Sequence, residues 1–393
     1  MLLTDAIERL AAFEPVPFPV LSLYLDLRPD ETGRDRYDVF LRRVFREAEA
    51  TYRPHTPERE SFVADVERIR QYLAREVRPS MNGLALFACA GADGFFETVP
   101  LDVPVEEHRL YLDDQPHLYP LARLDDQYPR YAAVLADTKQ ARIFVFGTGR
   151  RQRAEEMTSP AVRRVKVGGW SQARYQRRAD NAAAQHVREL VSALERIVSD
   201  EQIPQIVLAG DEVVVPLIRD ELPPALADKL VDVVALDIRA PERQVLEETL
   251  AALRRRDADS DRDAVEQLFA AARSRGLGVL GAADVLAAFE TGQVDELLIT
   301  ARPDTLTNVD ALVPEPAAPP PTHTGDVTEG LAAVDAAAAA NTGAPARTVP
   351  VEDKVADQLV TLARQTAARI RFIEDPALLA EVGGVGALLR FRI

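Results

Sequence analysis

The sequence predicts an α/β chain made of three small α/β domains. Three observations lead there. At 393 residues the chain is too long for one ordinary domain. Short apolar runs of strand character alternate with longer stretches of helical spacing from end to end. A stretch rich in Pro, Ala and Thr, about residues 303–350, interrupts the last third and includes Pro319-Pro320-Pro321. Such a composition buries too little apolar surface to order itself, so it reads as a flexible insertion. The expected divisions are residues 1–127, 128–239 and 240–393.

In the first unit, Leu3 to Phe13 fits a short helix, and Val20 to Leu27 alternates like a half-buried strand. Charged helices follow over Asp35 to Thr51 and Pro57 to Val77, with a turn near Pro54. Leu84 to Cys89 reads as a buried strand. Phe95 to Val103 and Glu107 to Leu112 read as further strands of a mixed sheet. The second unit opens with strand Tyr131 to Asp137 and its hairpin partner Ala141 to Phe146, and then a basic, irregular stretch from Gly147 to Gly169. A long helix is expected from about Ser171 to Ser199, because Ala183, Val187, Leu190, Val191, Leu194 and Ile197 form one stripe. Gln205 to Gly210 and Leu230 to Leu236 complete its strands. In the third unit, separate helices fit Glu242 to Arg256 and Asp261 to Ser274, and another opens at Ala282. Val294 to Thr300 reads as a helix-to-strand transition. Beyond the insertion come a helix from Lys354 to Ala368 and strands at Arg369 to Ile373 and Ala387 to Ile393.

Composition narrows the function classes. The lone Cys89 excludes a disulfide framework and a multi-cysteine metal site, and its apolar neighbours make it a small core residue. His55, His108, His117, His186 and His323 show no metal-ligand spacing, so no metal is expected. Gly276 to Gly281 matches Gly-x-Gly-x-x-Gly but follows no strand; no nucleotide fingerprint and no cofactor are implied. Asp5, Glu8 and Arg9 interrupt the N-terminus early, and no apolar run is long enough to span a bilayer. A cytoplasmic protein without a membrane partner is expected. A net charge of -16 repels phosphate on average, so this is no general nucleic-acid-coating protein, and local basic clusters gain weight.

One such cluster surrounds Gly168-Gly169-Trp170-Ser171-Gln172. Arg150, Arg151, Arg153, Arg163, Arg164, Lys166, Arg174, Arg177 and Arg178 crowd it, against Glu155, Glu156 and Asp180. The paired glycines let the backbone approach a ligand closely, and a helix starting near Ser171 aims free N–H groups at any phosphate there. Trp170, the only tryptophan, could stack on an unpaired base. Read as residues alone, the segment is equally compatible with a solvated charged face and an ordinary glycine turn. His186, further along the helix, suits a packing or an RNA-facing role.

The segment Gly168 to Arg177, followed by a long helix carrying His186-Val187-Arg188, resembles the Gly-Gly-Gln loop and helix of the archaeo-eukaryotic class-1 release factors and their relative Pelota. The likeness extends along the chain. Leu21-Ser22-Leu23-Tyr24, Asn82 to Phe87 and Leu110-Tyr111-Leu112 are similar to that family's first domain. Ala133 to Gly149 and Val207 to Gly210 resemble its middle domain. Gly278 to Gly281, Asp284 to Leu286, Phe289 to Asp295 and Gly383 to Phe391 resemble the third domain shared with Pelota.

The resemblance implies a ribosome-binding translation factor that enters the A site. Its loop would reach ribosomal RNA and tRNA in the peptidyl-transferase centre, and a translational GTPase such as EF-Tu is the implied delivery partner. Gly168, Gly169 and Gln172 would be the catalytic positions; Trp170, Ser171, Arg163, Arg164, Lys166, Arg174, Arg177 and Arg178 would face RNA. Departures from the pattern matter. Release factors place the glutamine directly after the glycines to position a water on the peptidyl-tRNA ester, whereas Trp170 stands there here and Gln172 follows two residues on. A displaced glutamine is similar to the Vms-type peptidyl-tRNA-cleaving relatives. The decoding motif Tyr-x-Cys-x-x-x-Phe falls on Tyr111 to His117, with Asp113 for the cysteine and His117 for the phenylalanine; no Asn-Ile-Lys-Ser loop lies between Leu27 and Val77. Stop-codon reading is therefore not expected, and Asp113-Asp114 reads as a surface turn. The implied function is rescue of stalled ribosomes by peptidyl-tRNA hydrolysis; the alternative is a non-catalytic hibernation factor, similar to Balon, in the A site of idle ribosomes.

Overall fold

A computed structural model describes the chain except residues 1–2, 29–36, 79–80, 102, 104, 148–149, 159–170, 212, 275, 310–311, 313–349 and 393; for 150–151 and 171–180 only the backbone is described. The predicted α/β class holds, with three sheets flanked by helices.

The first part contains α1 (Leu3–Ala11), β1 (Val20–Asp26), α2 (Tyr37–Ala50), α3 (Pro57–Glu76), β2 (Gly83–Cys89), β3 (Phe95–Leu101), β4 (Arg109–Asp113) and α4 (Tyr119–Gln127). Its sheet runs β3-β2-β1-β4 and every pairing is antiparallel, so the expected mixed sheet is corrected. Strand β1 is buried on both faces rather than one. Leu21, Leu23 and Leu25 point to α2 and α3, while Tyr24 points to α1 and α4. The polar exception, Ser22, is satisfied by accepting from the His117 N–H at 2.9 Å. Cys89 is a buried core residue, as its neighbours suggested.

The second part has β5 (Tyr131–Ala136), β6 (Gln140–Gly147), β7 (Arg150–Thr158), α5 (Ser171–Asp200), β8 (Gln205–Gly210), α6 (Val214–Glu221), α7 (Pro224–Ala227), β9 (Leu230–Ala235) and α8 (Glu242–Arg273). Its sheet runs β7-β6-β5-β8-β9, with β5, β8 and β9 parallel. The basic stretch after Gly147 is not irregular throughout: β7 occupies Arg150–Thr158 as an edge strand against β6. Charged residues suit such an edge, where one flank of the strand has no neighbour to pair with. Helices α5 and α6 cover one face, and the first half of α8 covers the other through Val245, Ala252 and Leu253.

The two helices expected between Glu242 and Ser274 are one 32-residue helix. The segment Asp257-Ala258-Asp259-Ser260 contains no Pro or Gly, and its Asp and Ser cost only a few tenths of a kcal/mol each. Burial at both ends outweighs that. Val265 and Leu268, in the second half of α8, enter a core under the third sheet with Leu298, Ile373 and Leu379.

That third sheet contains β10 (Gly278–Leu280), β11 (Val294–Thr300), β12 (Arg369–Ile373) and β13 (Val385–Leu389), in the order β10-β13-β11-β12, with α9 (Ala282–Glu290) and α10 (Val351–Gln365). Residues 294–300 are strand throughout, because β13 and β12 pair with both edges of β11. The first residues of the stretch expected to be a flexible insertion, about 303–350, are folded. Pro303–Thr305 form a 3-10 turn, and Leu306 and Val309 are buried. The Thr307 N–H donates to the Gly383 carbonyl at 3.2 Å, and Gly383 sits at φ +75°, where a Cβ would press on Thr307.

The first and third sheets share one continuous core. Leu3, Ile7, Leu10, Leu121 and Leu124 of α1 and α4 pack with Val355, Leu359 and Val360 of α10. The second sheet has its own two cores and connects to this body through α8 and the Tyr128–Arg130 passage.

Candidate functional site

The candidate segment of the sequence lies between β7 and α5. Of its expected residues, Arg163, Arg164, Lys166, Gly168, Gly169 and Trp170 lie outside the described residues. Ser171 and Gln172 open α5 as its first two positions, and Arg174, Arg177 and Arg178 follow within its first turns. The backbone N–H groups of Ser171 and Gln172 are thus among the four that a helix leaves without internal partners. They mark the positive end of a 30-residue macrodipole.

The described part of α5 meets the sheet from His186 and Val187 onward, with Leu190, Leu194 and Ile197 completing the buried stripe. Fifteen residues from Ser171 to Gln185 precede that stripe. At ~1.5 Å per residue the helix start stands roughly 22 Å along the axis from its first core-packed turn. His186 takes the packing role: it is 2% exposed, and its Nε2 finds no hydrogen-bond partner among the described residues.

The strand and helix that flank this segment are fixed at their opposite ends by ion pairs. Arg153 on β7 reaches Glu201, just beyond α5, at 3.0 Å and Glu155 at 3.2 Å. Arg130, before β5, pairs with the other Glu201 oxygen and donates to its carbonyl at 2.7 Å. Arg196 on α5 meets Glu155 at 2.7 Å. Arg153 is therefore engaged in holding β7 against α5, which removes it from the cluster read as an RNA footprint. Residues 159–180 still carry six basic residues against Asp180 alone, so the net negative charge lies entirely elsewhere.

Tyr111, Asp113 and His117 are built into the seam between the first and third sheets. Tyr111 is buried, and the His117 ring stacks on it at 3.6 Å. The Tyr24 hydroxyl donates to the His117 carbonyl at 2.6 Å. From α10, Asp357 accepts from the N–H groups of Leu118 and Tyr119 and caps α4, with its Oδ1 3.5 Å from His117 Nδ1. Burial drives the His117 ring down to about 3, and Arg109 adds to this. Burial drives the Asp357 carboxyl up to about 8 against the pull of its two backbone donors, with Asp113 and Asp353 adding to the rise. The pair is therefore neutral at pH 7, with the proton on the carboxyl. Asp113 reaches Lys354 of α10 at 3.4 Å, so the expected surface turn is an inter-sheet contact. No local signal could have revealed this seam, since its partners lie hundreds of residues apart in sequence.

Among the described residues no group of three or more His, Cys, Asp or Glu side chains could hold a metal ion, and no helix is long and apolar enough to cross a membrane.

Residues 116–254 match the bacterial archaeo-eukaryotic release factor family 10. The match opens just before α4, spans the whole second sheet with β7 and α5, and closes in the half of α8 that packs on that sheet. No curated protein matches the chain. Among solved structures, an archaeal translation termination factor, aRF1, is 16% identical over 99% of this chain and 97% of that one, at a TM-score of 0.26. Archaeoglobus fulgidus Pelota is 13% identical over 79% and 80%, at 0.33. S. cerevisiae Dom34 is 9% identical over 79% and 80%, at 0.41. The similarity to the bacterial archaeo-eukaryotic release factor family 10 thus covers the middle region of the chain.

Proposed function

We propose that this chain is a ribosome-binding factor that occupies the A site without reading a stop codon and rescues stalled ribosomes by hydrolysing peptidyl-tRNA. The observation that carries the reading is the family match over residues 116–254, which contains the Gly168-Gly169-Trp170-Ser171-Gln172 segment at the start of a long helix. In this reading the loop enters the peptidyl-transferase centre, with Arg163, Arg164, Lys166, Arg174, Arg177 and Arg178 against ribosomal RNA and tRNA phosphates. Trp170 and Ser171 contact RNA beside them. Gly168 and Gly169 admit the backbone, and Gln172 holds a water against the ester. Water adds to the carbonyl carbon, the bond to the ribose oxygen breaks, and that oxygen leaves as the tRNA hydroxyl. Positioning is demanding, since small misplacement costs about 100-fold. A translational GTPase such as EF-Tu delivers the factor. Absence of stop-codon reading is supported by the use of Tyr111 and His117 in packing against α10.

One observation favours a second reading, a non-catalytic hibernation factor in the A site of idle ribosomes: Trp170 occupies the place of the release-factor glutamine. Stalled ribosome–nascent-chain complexes and vacant ribosomes, each mixed with wild type and Gln172→Ala, separate the two. Peptide release that the substitution abolishes supports the hydrolase. Binding to vacant ribosomes with no release at saturation supports hibernation. Binding to neither complex at low salt overturns both.

A further inference from the structure

The second sheet is joined to the rest of the molecule by little. Among the described residues its two cores draw only on positions between Tyr131 and Leu253. Two passages tie it to the body formed by the first and third sheets, residues 128–130 and the middle of α8. They touch, since the Arg254 guanidinium lies 5.7 Å from the Tyr128 ring centre. Leu253 is the last α8 residue buried under the second sheet, and Asp261 is the next buried one, against β12. No α8 residue between them is buried. Over Arg254–Ser260 the helix therefore has no apolar anchor.

Carboxylates gather at the end of that stretch. Asp257 and Asp261 stand one turn apart on α8, a like-charged spacing that weakens a helix. Arg371 of β12 is shared by Asp261 at 3.4 Å, the Ser260 hydroxyl at 3.0 Å and Glu296 of β11 at 2.9 Å. Arg123 of α4 is shared by Asp126 at 3.4 Å and by Glu374, just past β12. Asp257 has no hydrogen bond or ion pair with a described residue. The other cations nearby are engaged elsewhere: Arg254 on Tyr128, Arg255 on Asp232 at 3.9 Å, Arg262 on Asp259 at 3.2 Å and Arg369 on Asp295 at 2.9 Å and Glu296 at 3.2 Å. Arg256 is exposed. Burial raises Asp126, Asp257 and Asp261 above the ordinary carboxylate range. Arg123 opposes this at Asp126, Arg371 at Asp257 and Asp261, and the Glu374 N–H at Asp261. Glu374 adds to the rise at Asp126 and Asp257, Asp257 at Asp126 and Asp261, and Asp261 at Asp126. An arrangement that raises a carboxyl is favoured at low pH, and the advantage fades as pH climbs.

We propose that α8 hinges at Asp257–Ser260 under proton control. With Asp126 and Asp257 protonated, the second sheet keeps the orientation described above. With both charged against Asp261 and Glu374, the helix bends there and the sheet swings away from the body. The hinge needs no ribosome and stands apart from the A-site reading. Spin labels at exposed positions report it, through Glu195→Cys on α5 and Gln71→Cys on α3 in a full-length Cys89→Ala chain. Label-to-label distances are measured at about pH 6 and about pH 8.5 in that chain, and with Asp126→Asn/Asp257→Asn or Asp357→Asn added. The parent chain is expected to keep one distance at low pH and to gain a second on raising it. The ratio of the two populations should change by up to about tenfold per pH unit while one proton is released. Asp126→Asn/Asp257→Asn should hold the low-pH distribution throughout, and Asp357→Asn, at the seam between the first and third sheets, should respond as the parent does. Thermal midpoints verify that each variant folds. Identical distributions of the parent at both pH values overturn the proposal, as does a double Asn variant that shifts as the parent does. A shift abolished by Asp357→Asn alone assigns the response to the seam and also overturns it.

Discussion

Replacing Asp357 by asparagine examines the proton held at the seam between the first and third sheets. The carboxyl caps α4 through two backbone N–H groups and faces His117 at 3.5 Å. Its folded value is raised from 3.8 to about 8, first by burial; that of His117 is lowered from 6.5 to about 3, again first by burial. A raised carboxyl contributes stability that is complete below 3.8 and lost as pH climbs through about 8. A depressed histidine contributes stability that is complete above 6.5 and lost as pH falls through about 3. Between 3.8 and 6.5 the two slopes oppose each other and cancel; from 6.5 to about 8 the carboxyl acts alone. At 1.36 kcal/mol per unit, that window of about 1.5 units corresponds to about 2 kcal/mol. Asn keeps the shape and one acceptor oxygen but carries no titrating proton. Wild type should therefore lose about 2 kcal/mol more than Asp357→Asn between pH 6.5 and 8, read from urea midpoints of the transition that melts the shared core. Asp126, which burial raises to about 7, titrates in both proteins and drops out of the difference. Parallel stability curves for the two proteins would refute the reasoning. Asp357→Ala, which strands both N–H groups, should cost about 2–4 kcal/mol at either pH.

Two further perturbations address the support of the second sheet. Glu201→Gln removes the shared anchor of Arg130 and Arg153; about 1–2 kcal/mol of loss and faster hydrogen exchange along β7 are expected, and unchanged exchange there would show that β7 is held by its ladder to β6 alone. Leu253→Ala and Leu268→Ala, both fully buried on α8, should each cost about 2–4 kcal/mol but loosen different cores. Exchange should quicken mainly in β5 and β8 for the first and in β11 and β12 for the second; identical patterns would mean that α8 couples the two sheets as one unit.

Sequence periodicity was a good guide wherever a strand or helix buries its own apolar stripe. Strands β2, β5 and β8, the β5–β6 hairpin and the α5 stripe were all legible for that reason. It failed where stability comes from elsewhere. Strand β7 has almost no apolar residue to signal it, because an edge strand can be held by a neighbour's ladder and by ion pairs such as Arg153 with Glu201. The unbroken α8 was hidden by Asp and Ser residues that look like a break, and the two cores that hold its halves are visible only in three dimensions.

The candidate site divides in the same way. Local residue order displayed the Gly168–Gln172 segment and its basic surroundings, and it placed the helix start at Ser171, where the structure has it. It also displayed Asp113 and His117 where the resembled motif has cysteine and phenylalanine. Tertiary structure alone decided what those two residues do instead. They meet Lys354 and Asp357 of a helix that follows the Pro-rich stretch, and contacts made across such a separation leave no trace in local spacing. Burial then chose the neutral form of the His117–Asp357 pair, and that choice depends on the finished packing around both groups.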